Sequence, residues 1–174
     1  MTEQARKPFL YVVVCAAGVA DGIGELITLA LERNWQVGVL ATPQATGFFD
    51  VAAVEERTGR PIRSAWRAPG DPRPFPDPDA VAVAPATFNT VNKWAAGISD
   101  TLALGTLCEA SGTGVPISVL PCVSEALAAH PAYRDSLKRL RGMGVRFGEH
   151  AFDGPRQHGF RWEQALDLLG QVPG

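Results

Sequence analysis

The sequence predicts a three-layer, Rossmann-like (flavodoxin-like) α/β fold, in which a mostly parallel sheet is covered by helices on both faces. Three observations predict it. Short apolar, β-branched runs alternate along the chain with longer segments of helical period. The first run, Phe9 to Cys15, is apolar throughout, as a strand buried on both faces must be. Clusters of glycine and proline fall between these runs and mark the connections.

Each element follows in order. After the first strand, Ala16-Ala-Gly18-Val19-Ala-Asp-Gly-Ile-Gly24 reads as a turn, and Glu25 to Arg33 carries apolar residues at helical spacing. Trp35 to Ala41 reads as a second strand, Gln44 to Arg57 as a second helix, and Ile62 to Trp66 as a short strand. Ala68 to Asp79 holds five prolines in twelve residues. Proline fixes φ and removes a backbone donor, so this stretch is expected to be a stiff loop. Ala80 to Ala84 is expected as a buried strand, Thr87 to Ile98 as a helix, and Val115 to Leu120 as a strand. Tyr133 to Gly142 reads as a helix, Val145 to Phe147 as an edge strand, and Glu149 to Gly159 as a polar loop. Arg161 to Leu169 closes the chain as a helix with Trp162, Ala165, Leu166 and Leu169 on one face.

Length and composition bound the rest. The 174 residues suit one domain, here taken as residues 1–174, and 46% apolar against 20% charged residues is an ordinary globular mix. Sixteen basic and eighteen acidic residues leave a net charge of −2, so there is no cationic field for nucleic acid or anionic lipid. No apolar run is long enough to cross a bilayer, and the start lacks a signal peptide's apolar core, so a cytoplasmic protein is expected. Cys15, Cys108 and Cys122 form no CxxC pair, and three thiols make no even disulfide framework. The histidine spacing matches no metal-ligand pattern, and no metal site is expected.

Chemistry concentrates in Ala84-Pro-Ala-Thr-Phe-Asn-Thr90 and the helix it opens. Thr87, Asn89 and Thr90 lie at the first helical turn, where free N–H groups and the helix dipole favour an anion. The spacing leaves two readings open: a helix cap, which one such residue would satisfy, or a turn that holds a ligand phosphate or ring.

Pro85-Ala-Thr-Phe-Asn-Thr90, followed by Lys93, Ala95, Gly97 and Asp100-Thr-Leu102, resembles the PASANT segment of the homo-oligomeric flavin-containing Cys decarboxylases. This family includes phosphopantothenoylcysteine decarboxylases and peptidyl-cysteine decarboxylases, and flavin prenyltransferases share its fold. Thr42-Pro-Gln-Ala-Thr-Gly-Phe48 resembles the family's T-P-x-A-x-x-F turn, and the similarity runs in order from about Phe9 to Leu127. The resemblance implies an FMN cofactor held by Gly18, Val19, Thr42, Phe48, Thr87, Phe88, Asn89 and Thr90. The residue types suit that role. A glycine turn lets N–H groups approach a phosphate, threonine hydroxyls donate to its oxygens, and phenylalanine offers surface for a flavin ring. The GVADGIG run is not G-x-G-x-x-G, so no dinucleotide fingerprint is present.

The same resemblance implies a substrate segment at Cys122, Val123 and Ser124, where the family's P-x-M-N-x-x-M-W motif keeps its proline alone. Ser124 stands for the family's Asn and Ala128 for its Trp. The family's histidine ahead of the third strand has no counterpart, and the cysteine flap of the phosphopantothenoyl enzymes has none between Glu149 and Phe160. The catalytic residues are therefore unknown from sequence. Cys122 is a candidate redox thiol or a buried structural one. His130 reads as a helix-end or loop residue rather than a base; His150 and His158, with Arg156 between them, read as solvated loop residues, the alternative being groups that close over a substrate. Glu25, Lys93 and Asp100 read as helix-surface or subunit-contact charges.

The expectation is an FMN enzyme that oxidatively decarboxylates a cysteine-containing substrate, a peptide ending in cysteine more than phosphopantothenoylcysteine. The alternatives are an FMN-binding protein of the same fold without that activity, and a flavin prenyltransferase-like enzyme. The resemblance also implies a homo-oligomer, a trimer or a multiple of trimers. Trp94 and the Leu102 to Leu107 run are read as apolar surface for that contact.

Overall fold

The structure, a computed structural model, describes residues 6–151 and 159–170. Five strands form one parallel sheet: β1 (Phe9–Val14), β2 (Gln36–Ala41), β3 (Ala80–Ala86), β4 (Ile117–Pro121) and β5 (Arg146–Phe147). Their order is β2-β1-β3-β4-β5. All six residues of β1 are buried, and their alternation divides the core. Phe9, Tyr11 and Val13 face α3 (Phe88–Ala95), α4 (Leu102–Thr113) and α6 (Pro131–Gly142). Leu10, Val12 and Val14 face α1 (Ile23–Glu32) and α7 (Glu163–Asp167). The second face of β3 is lined by Ala80, Ala82 and Ala84, small side chains that let these two helices lie close to the sheet. Trp162, Ala165, Leu166 and Leu169 are all buried there, as their spacing predicts.

The proline-rich stretch forms a strap without regular structure across the first face. Phe75 is its anchor, within 5.8 Å (ring centroids) of both Phe9 and Tyr11. Gly38 admits it, because a Cβ there would lie 2.8 Å from Phe9 and 2.9 Å from Phe75. The Tyr11 hydroxyl donates to the Pro76 carbonyl at 2.7 Å, and Phe9 N–H donates to Asp79 at 2.6 Å.

Three expectations need correction, and two helices were not expected. Gln44 to Arg57 is not one helix: a 3-10 turn (Ala45–Gly47) is followed by α2 (Val51–Thr58), started by Asp50, which accepts from Ala53 N–H at 3.0 Å. That aspartate is a good cap and a poor helix interior residue, so it breaks the run. Ile62 to Trp66 supplies one bridge, Leu40 to Arg63, and no strand; Pro61 offers no N–H to begin a ladder there. Helix α4 went unpredicted because apolar and small residues surround most of its circumference and blur its period. Thr101 caps it, accepting from Leu104 N–H at 3.2 Å. The apolar surface assigned to subunit contact is spent inside the chain, since Trp94, Ala103, Leu104 and Leu107 are all core residues. The second unexpected helix is the short α5 (Glu125–Ala128).

Candidate functional site

In an open parallel sheet, ligands lie at the carboxyl ends of the strands where neighbouring connections leave in opposite directions. Here that point lies between β1, whose chain runs on to β2, and β3, whose chain runs on to β4. Gly18 and Val19 follow β1 in a 3-10 turn (Gly18–Gly22), and Thr87 to Thr90 follow β3 at the start of α3. Thr42 follows β2 and stays in the ladder, its N–H donating to Val14 O at 2.9 Å. The fold thus brings six of the eight predicted cofactor residues to three adjacent strand ends, with Phe88 and Phe48 beside them.

The threonines are partly spent on each other. Thr87 caps α3 by accepting from Thr90 N–H at 3.4 Å, and its hydroxyl donates to Thr90 Oγ1 at 3.1 Å. Thr90, 4% exposed, also accepts from Cys15 Sγ at 3.3 Å. Burial pushes the Cys15 thiol up from its ordinary value, partly opposed by hydrogen bonds from Thr90 and Thr87. Cys15 is therefore a neutral, sealed thiol beneath the turn.

What is left over points outward. Among the described contacts, the N–H groups of Gly18, Val19, Phe88 and Asn89 have no acceptor, and neither the Thr42 hydroxyl nor the Asn89 amide is engaged. Asn89 is exposed, and Phe48 is 44% exposed. These donors sit at the carboxyl ends of adjacent strands, around the crevice between β1 and β3, with no carboxylate among the predicted residues, and a phosphate fits that set. Val19 differs: its side chain packs with Ala17 and Cys122, so it offers the crevice only its N–H. Phe88 lies stacked on Tyr133 (5.8 Å between centroids, 22° between planes), which commits one face of its ring within the chain.

The predicted substrate segment leaves β4 next to this crevice. Cys122 is 3% exposed, Val123 is 2% exposed, and Ser124 caps α5, accepting from Leu127 N–H at 3.3 Å. The segment is zipped to Ala151, whose N–H donates to Pro121 O at 2.9 Å and whose carbonyl accepts from Val123 N–H at 3.0 Å.

His150 corrects its solvated reading. It is half-buried, and its Nε2 lies 3.0 Å from the Tyr133 hydroxyl. Tyr133 is wholly buried, and that burial pushes its phenol up to about 12. Burial and then the charge of Arg141 hold His150 below its ordinary value. Sequence reading missed this pair because the two residues are seventeen positions apart and share no motif. His130 is the helix-end residue expected, capping α6 through Nδ1, which accepts from Ala132 N–H at 3.1 Å. Lys93 and Asp100 form an ion pair at 2.6 Å. His158 and Arg156 lie outside the described residues.

A cavity of about 990 Å³ lies elsewhere, between the strap and α4, with Arg63, Trp66 and Glu109 in its wall. The Arg63 carbonyl accepts from Ala41 N–H at 2.8 Å, one residue before Thr42. Among the described residues, no group of three or more His, Cys, Asp or Glu side chains is placed to hold a metal ion, and no helix is long and apolar enough to cross a membrane.

The family model named Flavoprotein matches residues 2–157. The chain belongs to this family. That bears out the resemblance drawn from the Pro85 to Thr90 segment, and it supports a flavin cofactor. Among curated proteins, the chain is similar to the coenzyme A biosynthesis bifunctional protein CoaBC of Mycobacterium tuberculosis (strain H37Rv), 30% identical over 150 residues. That match covers 83% of this chain but 35% of the relative, so the chain spans about a third of it. Among solved structures, the FMN-dependent cysteine decarboxylase TvaF from thioviridamide biosynthesis aligns at 26% identity and a TM-score of 0.74, covering 95% of this chain and 100% of that one. A PPC decarboxylase mutant complexed with pantothenoylaminoethenethiol aligns at 22% identity and a TM-score of 0.68, covering 82% of each chain, a likeness of fold. This Flavoprotein family member therefore has the flavodoxin-like architecture that its alternating pattern predicts.

Proposed function

We propose that this chain binds FMN in the crevice between β1 and β3 and oxidatively decarboxylates a cysteine-containing substrate, preferring a peptide that ends in cysteine to phosphopantothenoylcysteine. The observation that carries the reading is the convergence of free donors on adjacent strand ends in a member of the Flavoprotein family. The N–H groups of Gly18, Val19, Phe88 and Asn89 hold the phosphate, with the Thr42 hydroxyl donating beside them. Thr87 and Thr90 keep the turn in shape, and Phe48 offers its exposed ring to the flavin. When bound, FMN supplies a two-electron acceptor for the thiol-bearing carbon. The protein's part is to hold that carbon in position, exclude water and move the thiol proton, with Cys122, Val123 and Ser124 beside the substrate.

One observation supports a peptide substrate over the pantothenate compound: the segment from Glu149 to Phe160 carries no cysteine. Ser124 favours a second reading, an FMN-binding protein without decarboxylation, because its hydroxyl caps α5. The family resemblance supports a trimer-based assembly. Light scattering of the flavin-loaded protein tests that assembly, and a monomer of about 18.5 kDa overturns it.

Anaerobic mixing of FMN-loaded protein with peptides ending in cysteine tests the reaction. Bleaching of the flavin, with a product lighter by CO₂ and two hydrogens, is the expected result. Unchanged peptide with flavin still bound selects the second reading. Protein that purifies colourless and takes up no added FMN overturns both.

A further inference from the structure

We propose that His150, held by Tyr133, accepts the proton of the substrate thiol, an inference that rests on the decarboxylase reading above. Removing electrons from the carbon beside a thiol is easier once the sulfur carries a negative charge, and an ordinary thiol near pH 8.5 keeps its proton at neutrality. The site therefore needs a base that is neutral near pH 7 and stands close to the substrate segment.

Few groups qualify. Glu125 and Glu149 are exposed, and Glu149 faces Arg161 at 3.7 Å. His130 is exposed, and its Nδ1 is occupied by the α6 cap. Cys15 is sealed beneath Thr90. His150 is different on three counts. It precedes Ala151, whose backbone is bonded on both sides to Pro121 and Val123, so it stands directly beside the Cys122 to Ser124 segment. Its Nε2 is fixed by the Tyr133 hydroxyl at 3.0 Å, while its Nδ1 has no hydrogen bond among the described contacts. Tyr133 in turn stacks on Phe88, the first residue of α3, and the rings of Tyr133 and His150 meet edge to face at 5.8 Å. One chain of side-chain contacts thus runs from the turn assigned to the cofactor to the imidazole beside the substrate segment.

Charge agrees with this geometry. Among the described residues, the titratable and charged groups around His150 are Tyr133 and Arg141 of α6, Glu149 adjacent in the chain, Arg161 beside the same small pocket and paired with Glu149, and His130 across Phe88. Tyr133 stays neutral throughout the working range, and Arg141 disfavours a second positive charge nearby. The base-competent tautomer carries its proton on Nε2, donated to the Tyr133 oxygen, which leaves the Nδ1 lone pair free. In the step itself, the substrate S–H bond breaks and an Nδ1–H bond forms. The electron pair stays on sulfur, so thiol and imidazole become thiolate and imidazolium with no change of oxidation state.

The test uses His150→Gln and Tyr133→Phe in the FMN-loaded protein, with FMN affinity measured first. Both variants are expected to bind FMN as the unaltered protein does. His150→Gln should slow anaerobic flavin bleaching by a peptide ending in cysteine by roughly 100-fold or more, the scale of general base catalysis. Nitrogen-15 NMR of the FMN-free protein supplies a readout independent of turnover. His150 should titrate below its ordinary value, the acid limb of the bleaching rate should follow that titration, and Tyr133→Phe should move both together. Bleaching by His150→Gln at the unaltered rate, or a rate limb that ignores the His150 titration, overturns the assignment while leaving the decarboxylase reading intact. Failure of the unaltered, FMN-loaded protein to bleach with any cysteine peptide overturns that reading and this one with it.

Discussion

The turn after β3 and the turn after β4 lie side by side at the same end of the sheet, yet they divide their hydrogen bonds in opposite ways. After β3, side chains bond to each other: Thr87 to Thr90, and Cys15 to Thr90, which leaves main-chain N–H groups free. After β4, main chain bonds to main chain, through Ala151 to Pro121 and Val123. The first arrangement builds a rigid cradle of backbone dipoles that suits an anion. The second builds a rigid rail along which side chains from separate segments are set, His150 among them. Adjacent strand ends can therefore serve different chemistry because each spends a different half of its polar groups on structure.

Breaking the cradle should give the largest effect. Thr90→Val removes a buried acceptor for two donors, with an expected loss of about 1–3 kcal/mol in stability measured by urea unfolding. FMN affinity should fall with it. If FMN binding survives intact, the cradle does not depend on its side-chain brace.

Asn89→Ala sharpens the same point, because Asn89 is exposed and bonds nothing in the described chain. The FMN-free protein should unfold as before, while the FMN dissociation constant rises by about five- to 150-fold, equivalent to roughly 1–3 kcal/mol. A fluorescence titration matching the unaltered protein would show that Asn89 faces solvent only.

Ser124→Ala examines the rail. Losing the α5 cap should cost about 1 kcal/mol of stability, within the range for such caps, and leave FMN affinity unchanged. A large drop in FMN affinity would show that the two turns are one site.

The smallest expected effect is on pH dependence. The folded protein holds His150 below its ordinary 6.5, so the unfolded chain binds the proton more readily. The associated stability is complete above about pH 6.5 and is lost as pH falls toward the depressed folded value. Thermal unfolding should show this slope, and His150→Gln should flatten it.

The uneven legibility of the sequence follows from the same chemistry. The strands were readable because burial on both faces demands unbroken apolar runs, as in Phe9 to Val14, and the anchor face of α7 because one-sided burial imposes a period. Helix α4 was not, since a helix surrounded by core and strap needs no polar stripe. The turn at Thr87 to Thr90 was visible as a cap, and its flavin reading came through the resemblance that the family match supports.

By itself, then, the sequence determined the runs that became the five strands, the helices other than α4 and α5, the stiffness of the proline strap and the residue types at the strand ends, because backbone sterics and burial act locally and leave periodic traces. Only the tertiary structure decided which polar groups remain free. It spends Thr87, Thr90 and Ser124 on structure, leaves Asn89 unbonded and joins Tyr133 to His150. A hydrogen bond or stacking contact between distant residues requires a distance and an angle, and chain closure in three dimensions sets both.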